Sequence, residues 1–299
     1  MTPSFNLEFE PSYGRAVEVF PGIARLTAPN PGSFTFHGTN SYIVGHDDLA
    51  IIDPGPDSDD HLAALLRAIN GRPVRHILVS HTHRDHSPLA KRLATETGAS
   101  THAEGPHRAA RPSDSPSPLE SGSDTDFVPD VRLKDGNVLS GNGWSLRAVF
   151  TPGHAANHMA FALEGTGVLF SADHVMGWST TIVAPPDGSM ADYMRSLDKL
   201  IARNDTLLLP GHGGAIAQPT SFMRGLKEHR LAREAAVLER LRLGDRAIGE
   251  IVAAIYRDID PALYPAASLS VLAHLEYLVD RGLVSCDGAP SVGGIFRPV

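Results

Sequence analysis

Four potential metal ligands lie within six consecutive positions of the sequence. His81, His83, Asp85 and His86 directly follow the apolar run Ile77-Leu78-Val79. Such a run is typical of a buried strand, so we expect these side chains on the loop at its carboxyl end, where α/β folds place their chemistry. Imidazoles and carboxylates are ligands of Zn²⁺ and other borderline divalent metals. A histidine-rich surface loop is the alternative interpretation.

Three further motifs repeat this arrangement downstream. Each places a potential ligand just after a short apolar segment, and they are TPGH at 151–154, SADH at 171–174 and LPGHG at 209–213. Chance rarely puts a ligand type at the ends of four separate strands. The pattern therefore predicts a metal site assembled from four loops, in preference to the surface-loop interpretation.

The motifs HTHRDH, TPGH, SAD and LPGHG, in that order, resemble those of the metallo-β-lactamase superfamily. The resemblance covers the chain from about Asn30 to Gly214. It implies an α/β fold, an αββα sandwich with two metals between the sheet edges. It also implies their ligands: His81, His83 and His154 for one metal, Asp85, His86 and His212 for the other, with Asp173 bridging both.

This ligand set predicts a dinuclear hydrolase that uses a metal-bound hydroxide. A bound metal lowers the pKa of water, and its partner stabilises charge on the attacked carbonyl or phosphoryl oxygen. Asp85, which can orient the hydroxide, and the bridging Asp173 are the predicted catalytic carboxylates. Two zinc ions are the expected cofactors, although Mn²⁺ or Fe²⁺ fits the same ligands.

Three substrate classes remain open. A small ester or thioester suits the acidic composition, with a formal net charge of -8. Single-stranded RNA is the alternative that the family branch described below suggests, and a β-lactam is supported only by the superfamily name. A non-enzymatic regulatory protein is disfavoured because every ligand position is filled.

Three further residues are candidates for supporting roles. Asp53 ends the apolar segment 49–52, and in the family such a residue lies under the metal loop and orients it; a turn residue before Pro54 is the alternative. His158 is expected to contact substrate, to orient a ligand, or simply to pack in the core. Trp178 is a candidate wall of the substrate pocket.

Two helices and one insertion are predicted around the metal loop. Residues 61–69, capped by Ser58, and 88–97 have helical character. The segment from His102 to Pro129 is rich in Pro, Ser, Gly and Asp, which predicts a long insertion. An active-site lid and a disordered surface loop are the two interpretations.

The 299 residues predict a catalytic domain over 1–218 and a helical, winged-helix domain over 219–299. Helical patterns followed by two short strands indicate the winged helix. This tail narrows the resemblance to a lactamase-β-like branch that includes a single-strand-specific endoribonuclease. Because the tail carries ten basic and ten acidic residues, it is a poor phosphate binder, and a structural or pocket-forming role is predicted.

Composition sets the remaining expectations. Residues 1–14 lack the basic start and apolar core of a secretory signal, which predicts a cytoplasmic location. No apolar run is expected to reach the length of a membrane span, so no membrane partner is predicted. A single cysteine, Cys286, rules out an internal disulfide. No oligomeric state is predicted.

Overall fold

Two β-sheets form the centre of the computed structural model, which describes residues 3–111, 122–257 and 260–299. The first sheet has seven strands whose spatial order follows the chain, β1 to β7. Its first four strands pair antiparallel, and β4 to β7 pair parallel. The strands are Val17–Phe20, Ile23–Thr27, Asn40–Val44, Leu49–Ile52, Val74–Leu78, Ser100–Ala103 and Val131–Arg132.

The second sheet has five strands, in the order β12-β11-β10-β9-β8. These strands, β8 to β12 along the chain, are Val138–Gly141, Trp144–Phe150, Met159–Leu163, Val168–Ala172 and Leu207–Pro210. All neighbours are antiparallel except β11 and β12, which are parallel. A parallel pair needs a crossover connection, and a helix numbered α3 below provides it.

Apolar side chains from both sheets meet in the layer between them. Tyr42, Ile52 and Leu78 from the first sheet pack in one cluster with Phe161 and Phe170 from the second. This face-to-face contact buries one surface of each sheet. The strands are apolar on both faces, so each sheet also needs a cover on its outer side.

Helices provide that cover. Helices α1 (Asp59–Ile69) and α2 (Ala90–Thr97) pack on the first sheet, and α3 (Met190–Arg203) packs on the second. Ser58 caps α1 by accepting a hydrogen bond from the backbone of His61, as predicted. The layers are therefore helix, sheet, sheet and helix, which confirms the expected αββα fold.

The C-terminal region forms a helical unit that ends in a hairpin. Its elements are α4 (Pro219–Arg242), α5 (Ile248–Ile255), a short 3₁₀ helix (Pro261–Leu263), α6 (Tyr264–Asp280) and the antiparallel strands β13 (Val284–Cys286) and β14 (Phe296–Pro298). A core of its own holds these elements together, with Leu241, Ile251, Leu275 and Phe296 fully buried. Helices followed by a terminal hairpin confirm the predicted winged helix.

One segment of this unit corrects an expectation. The stretch Pro261–Asp280 has 20 residues and a hydropathy of 1.2, enough by length and composition to cross a membrane. Half of its most apolar 18-residue window is buried inside the protein. Its apolar character has a structural cause, because α6 packs against α3, α4 and α5 and so needs apolar residues on several faces.

The predicted insertion begins later than the sequence indicated. His102 lies within β6, where pairing with β5 outweighs the turn-rich sequence that follows. Further along, the backbone N–H of Arg84 donates to the carbonyl of Gly122 at 2.8 Å, which ties the end of the insertion to the metal loop. Residues 112–121, on which the lid and surface-loop interpretations depend, lie outside the described residues.

Candidate metal centre

The seven predicted ligands all come from loops that follow strands. The 81–86 loop follows β5 of the first sheet, whereas His154, Asp173 and His212 follow β9, β11 and β12 of the second. Because the two sheets pack face to face, these loops converge at one edge of the sandwich. Two groups of side chains result, each with ligand atoms within 4.8 Å of one another.

The first group consists of three histidines. Nδ1 of His83 lies 2.9 Å from Nε2 of His81 and 3.0 Å from Nε2 of His154. Burial, together with the charges of neighbouring histidines, lowers the pKa of His81 well below its usual value. A neutral imidazole is the form that binds metals, so this group suits a divalent cation.

The second group adds two carboxylates to two histidines. Nε2 of His212 lies 3.1 Å from Oδ2 of Asp85 and 3.3 Å from Oδ2 of Asp173. Nε2 of His86 lies 3.3 Å from Oδ2 of Asp85 and 3.4 Å from Oδ1 of Asp173. Oxygen and nitrogen ligands of this kind are typical of zinc and similar metals.

Asp173 lies between the two groups. Its Oδ2 atom is 3.7 Å from Nε2 of His154 in the first group, in addition to its contacts with the second. Oδ1 of Asp173, Nε2 of His86 and Nε2 of His212 are buried without a hydrogen-bond partner in the described part of the chain. Buried polar atoms normally have partners, and a metal ion would supply them here.

The carboxylates and histidines of the second group shift one another's pKa values. Burial acts to raise the pKa of Asp173, but the positive charges of the nearby His212 and His86 hold it well below its usual value. Burial acts to lower the pKa of His212, but Asp173 and Asp85 raise it to about 10. Two carboxylates in one buried cluster thus require compensating positive charge, as a divalent metal provides.

Each histidine of the two groups has one ring nitrogen that faces the other candidate ligands, and its second ring nitrogen contacts a supporting group. Nδ1 of His154 lies 2.6 Å from the carbonyl of Ile182, and Nδ1 of His212 lies 3.1 Å from the carbonyl of Gly38. The remaining contacts are His81 Nδ1 to Ser80 Oγ (2.9 Å), His83 Nε2 to Asp187 Oδ2 (3.2 Å) and His86 Nδ1 to Asp53 Oδ2 (3.0 Å). Such contacts fix ring orientation and raise ligand basicity.

Two glycines allow the loops to approach this closely. A Cβ atom on Gly211 would lie 2.3 Å from Oδ1 of Asp173 and 2.9 Å from Cε1 of His86. A Cβ atom on Gly153, whose φ is +141°, would lie 2.3 Å from the Cα of Tyr193 in α3. The glycines that precede His154 and His212 therefore have a steric role, which the PGH motifs alone do not reveal.

The three candidate supporting residues have different positions. Asp53, only 2% exposed, contacts His86 and so touches a candidate ligand directly. His158 is fully buried, its ring centroid lies 5.1 Å from that of His81, and its Nδ1 atom lies 2.9 Å from Thr151 Oγ1. Trp178 stacks on Phe36 rather than joining the described residues around the cavity.

A cavity of about 560 Å³ opens onto both groups of ligands. His83, Asp85, His154 and Asp173 line its inner end. Apolar atoms make up most of the rest of the wall, and seven apolar residues contribute to it: Phe34, Pro56, Ala109, Met176, Ile182, Ala184 and Pro186. The polar and charged residues of the described lining, apart from the candidate ligands, are Asn30, Thr35, Arg84, His107, Ser123 and Asp187. A pocket of this size and character suits a small, partly apolar ligand.

The sequence did not point to Asp187, Phe34 or Arg84. Asp187 lies in the stretch Pro185-Pro186-Asp187-Gly188, which has the composition of an ordinary turn. It reaches His83 from 104 positions away, and no spacing pattern carries that information. The position of Arg84 between two ligands was the one available signal for the cavity wall.

The chain is similar to known proteins over most of its length. A family model described as "Metallo-beta-lactamase superfamily" matches residues 34–212, and one described as "Beta-lactamase associated winged helix domain" matches residues 247–291. A solved "Beta-lactamase domain protein" from Burkholderia ambifaria aligns with a TM-score of 0.81 at 23% identity, covering 97% of this chain and 95% of the other.

Two curated fungal relatives are also similar along most of the chain. A "Lactamase-like protein adaB" of Aspergillus niger is 29% identical over 286 residues, which is 90% of this chain and 84% of the relative. An "Atrochrysone carboxyl ACP thioesterase" of Aspergillus chevalieri is 31% identical over 229 residues, covering 75% of this chain and 67% of the relative.

Proposed function

The chain belongs to the metallo-beta-lactamase superfamily and is a metallo-hydrolase, and we propose that it hydrolyses thioesters or esters of small acyl substrates at a dinuclear centre. The observation that carries this proposal is the largely apolar cavity that ends on the two groups of candidate ligands. An acyl chain fits the apolar wall, and its carbonyl then lies against the metal ligands. The Aspergillus chevalieri relative, a thioesterase by name, supports the same substrate class.

The two groups of ligands would each hold one divalent ion, with Asp173 shared between them. When bound, such ions supply a water of lowered pKa and polarise the substrate carbonyl. Asp85 lines the cavity beside them, and Thr39 Oγ1 contacts its Oδ2 atom at 3.4 Å. Asp85 is therefore positioned to accept a hydrogen bond from the attacking water, and its depressed pKa keeps it ionised for that role.

A thioester places the smallest demand on the residues that line the cavity. A thiol has a pKa of about 8.5, so a thiolate leaves with little help from a proton donor. Asp187 is a poor donor, because burial acts to raise its pKa but the hydrogen bond and charge of His83 lower it below the usual value. A thiol leaving group is therefore favoured over an alcohol.

Single-stranded RNA fits the described residues less well. Helix α6, the predicted recognition helix, packs against three other helices, and its His274 and Glu276 are buried. Arg84 is the only arginine or lysine among the described lining residues of the cavity. An RNA-cleaving site would be expected to carry a cationic groove or several aromatic stacking platforms.

Hydrolysis of a small panel of substrates tests the proposal. Zinc-loaded protein would be assayed with acyl thioesters, the matching oxygen esters and a labelled single-stranded RNA, beside an Asp173→Ala variant that reports contaminating enzymes. We expect metal-dependent thioester cleavage that the variant lacks. Cleavage of RNA but not of thioesters or esters would indicate an endoribonuclease instead. Full activity of the Asp173→Ala variant would mean that Asp173 does not bridge the two metal ions.

A further inference from the structure

A buried arginine connects the C-terminal unit to the metal centre. Arg230 lies on α4 and is only 4% exposed. No carboxylate forms an ion pair with it in the described part of the chain, and its Nε atom has no hydrogen-bond partner there. Its guanidinium lies 5.1 Å from the ring centroid of Tyr193. A buried charge without an acidic partner is costly, so its one strong hydrogen bond is informative.

That hydrogen bond reaches the segment that holds two candidate ligands. The guanidinium of Arg230 donates to the backbone carbonyl of Thr181. The hydroxyl of Thr181 in turn donates to the carbonyl of Asp173 at 2.6 Å. The peptide group that contains the Thr181 carbonyl also contains the nitrogen of Ile182, so Arg230 fixes the plane of the peptide that leads into Ile182.

The next carbonyl along the chain belongs to Ile182 and accepts from His154. Nδ1 of His154 lies 2.6 Å from this oxygen. The two-residue segment therefore contacts the side chain of His154, through the Ile182 carbonyl, and the backbone of Asp173, through the Thr181 hydroxyl. Those two residues are the candidate ligands whose atoms approach each other across the two groups, at 3.7 Å.

We propose that Arg230 is a positioning residue that holds the 181–182 segment, and through it the side chain of His154 and the backbone of Asp173, in the geometry that binds metal. The residue does not line the cavity and touches no candidate ligand itself. Its effect is transmitted by the Thr181 peptide. The C-terminal helical unit thus contributes to the metal centre through α4, although none of its residues is among the described lining of the cavity. Comparable supports of metal ligands change metal affinity by about 10–100-fold when removed.

Metal affinity of the intact protein is the decisive measurement. We would compare the wild type with Arg230→Met, Arg230→Lys and a matched control, Lys227→Met, which lies one turn earlier on the same helix and pairs with Asp198. Zinc dissociation constants come from competition with a chromophoric chelator. The visible absorption of the cobalt-substituted protein reports the geometry around the ions.

We expect Arg230→Met to weaken zinc binding by about tenfold and to alter the cobalt spectrum, while Lys227→Met behaves like wild type. Arg230→Lys, which keeps a donor for the Thr181 carbonyl, should recover part of the affinity. Wild-type zinc affinity and an unchanged cobalt spectrum in a folded Arg230→Met protein would overturn the proposal.

A second variant keeps the test decisive if Arg230→Met fails to fold. Thr181→Val removes the hydroxyl that contacts Asp173 and retains the shape of the side chain. We expect this variant, like Arg230→Met, to bind zinc more weakly than the wild type. If Arg230→Met does not fold, wild-type zinc binding by Thr181→Val would mean that the 181–182 segment does not hold Asp173, and the proposal would be overturned. None of these readouts depends on the substrate, so they are independent of the proposed thioester hydrolysis.

Discussion

Oδ2 of Asp53 lies 3.0 Å from Nδ1 of His86. The same carboxylate accepts hydrogen bonds from the backbone N–H and the hydroxyl of Ser80, both at 2.7 Å. The Ser80 hydroxyl also lies 2.9 Å from Nδ1 of His81. One buried carboxylate therefore orients a histidine of each candidate ligand group, His86 directly and His81 through a serine.

We predict that Asp53→Asn lowers zinc affinity by about 10–100-fold, since it weakens the support of a ligand in both groups. Chelator competition measures the change. Asp57→Asn is the matched control. Asp57 is a surface aspartate that lies, like Asp53, shortly before α1, and it pairs with Arg92. Equal zinc affinity in both variants would mean that Asp53 serves only the turn at residues 53–55.

The structure brings together all seven residues that the sequence predicts as ligands, and the sequence reveals them because each is encoded locally. A short apolar strand followed at once by His or Asp is visible in a few residues, and the fold brings the strand ends together whatever lies between them. Asp53 was found for the same reason. The residues that support the ligands from elsewhere were not, and Asp187 and Arg230 are examples.

Long-range contacts explain what the sequence could not predict. The sequence analysis names Trp178 as a candidate wall of the pocket, but its side chain packs on Gly213 and stacks on Phe36. Arg230 contacts Thr181, which lies 49 positions earlier in the chain. Helix α4 also carries exposed charged residues, and the sequence around Arg230 does not show that this arginine is buried. The positions of both side chains depend on packing between elements that are distant in the sequence, and a local sequence pattern carries no information about such packing.

Arg84 gives a prediction about substrate charge. It is exposed, lines the cavity, and donates through Nε to the carbonyl of Ser123 at 3.1 Å, without an ion pair in the described residues. We expect Arg84→Gln to reduce the preference for a thioester with a terminal carboxylate over its methyl ester by about tenfold, because a charge-assisted hydrogen bond is lost. The ratio of the two kcat/KM values measures this effect.

Arg108→Gln is the control for the Arg84 variant. Arg108 is likewise exposed but pairs with Glu104 and lies outside the described cavity lining. Its substrate preference should match the wild type. If Arg84→Gln also keeps the wild-type ratio, then the arginine does not contact the acyl group.

Glu276 predicts a pH dependence of stability. Burial raises its pKa to about 7, the charge of Asp280 adds to this effect, and Arg111 opposes it. An acid with a raised folded-state pKa contributes most below its unfolded value near 4.5, and that contribution is lost as the pH rises through about 7. The free energy of unfolding should therefore fall over this window by about 2 kcal/mol on account of Glu276.

Urea unfolding of the wild type and Glu276→Gln at pH 5 and pH 8 isolates this contribution, since other groups cancel in the difference. The variant should gain about 2 kcal/mol on the wild type between the two pH values. A constant difference at both would indicate that the carboxyl group titrates normally in the folded protein.

The core between the predicted domains gives the last prediction. The boundary between residues 218 and 219 separates α3 from α4, yet Met223 and Leu226 of α4 are buried in one cluster with Tyr193 and Leu197 of α3. Burying a side chain of this size contributes about 1.5–3 kcal/mol, and a whole domain is stable by only about 5–15 kcal/mol. We therefore predict that residues 1–218 alone do not form a stable monomer.

Two point variants measure the same contact in the full chain. Leu226→Ala should lower the free energy of unfolding by about 2–5 kcal/mol, because it opens a cavity in the shared core. Leu231→Ala, on the same helix but 45% exposed, should change it by less than about 1 kcal/mol. A soluble, cooperatively unfolding 1–218 fragment together with a mild Leu226→Ala effect would instead mean that α4 only rests against the catalytic domain. Since Arg230 also lies on α4, loss of this contact should weaken metal binding as well as stability.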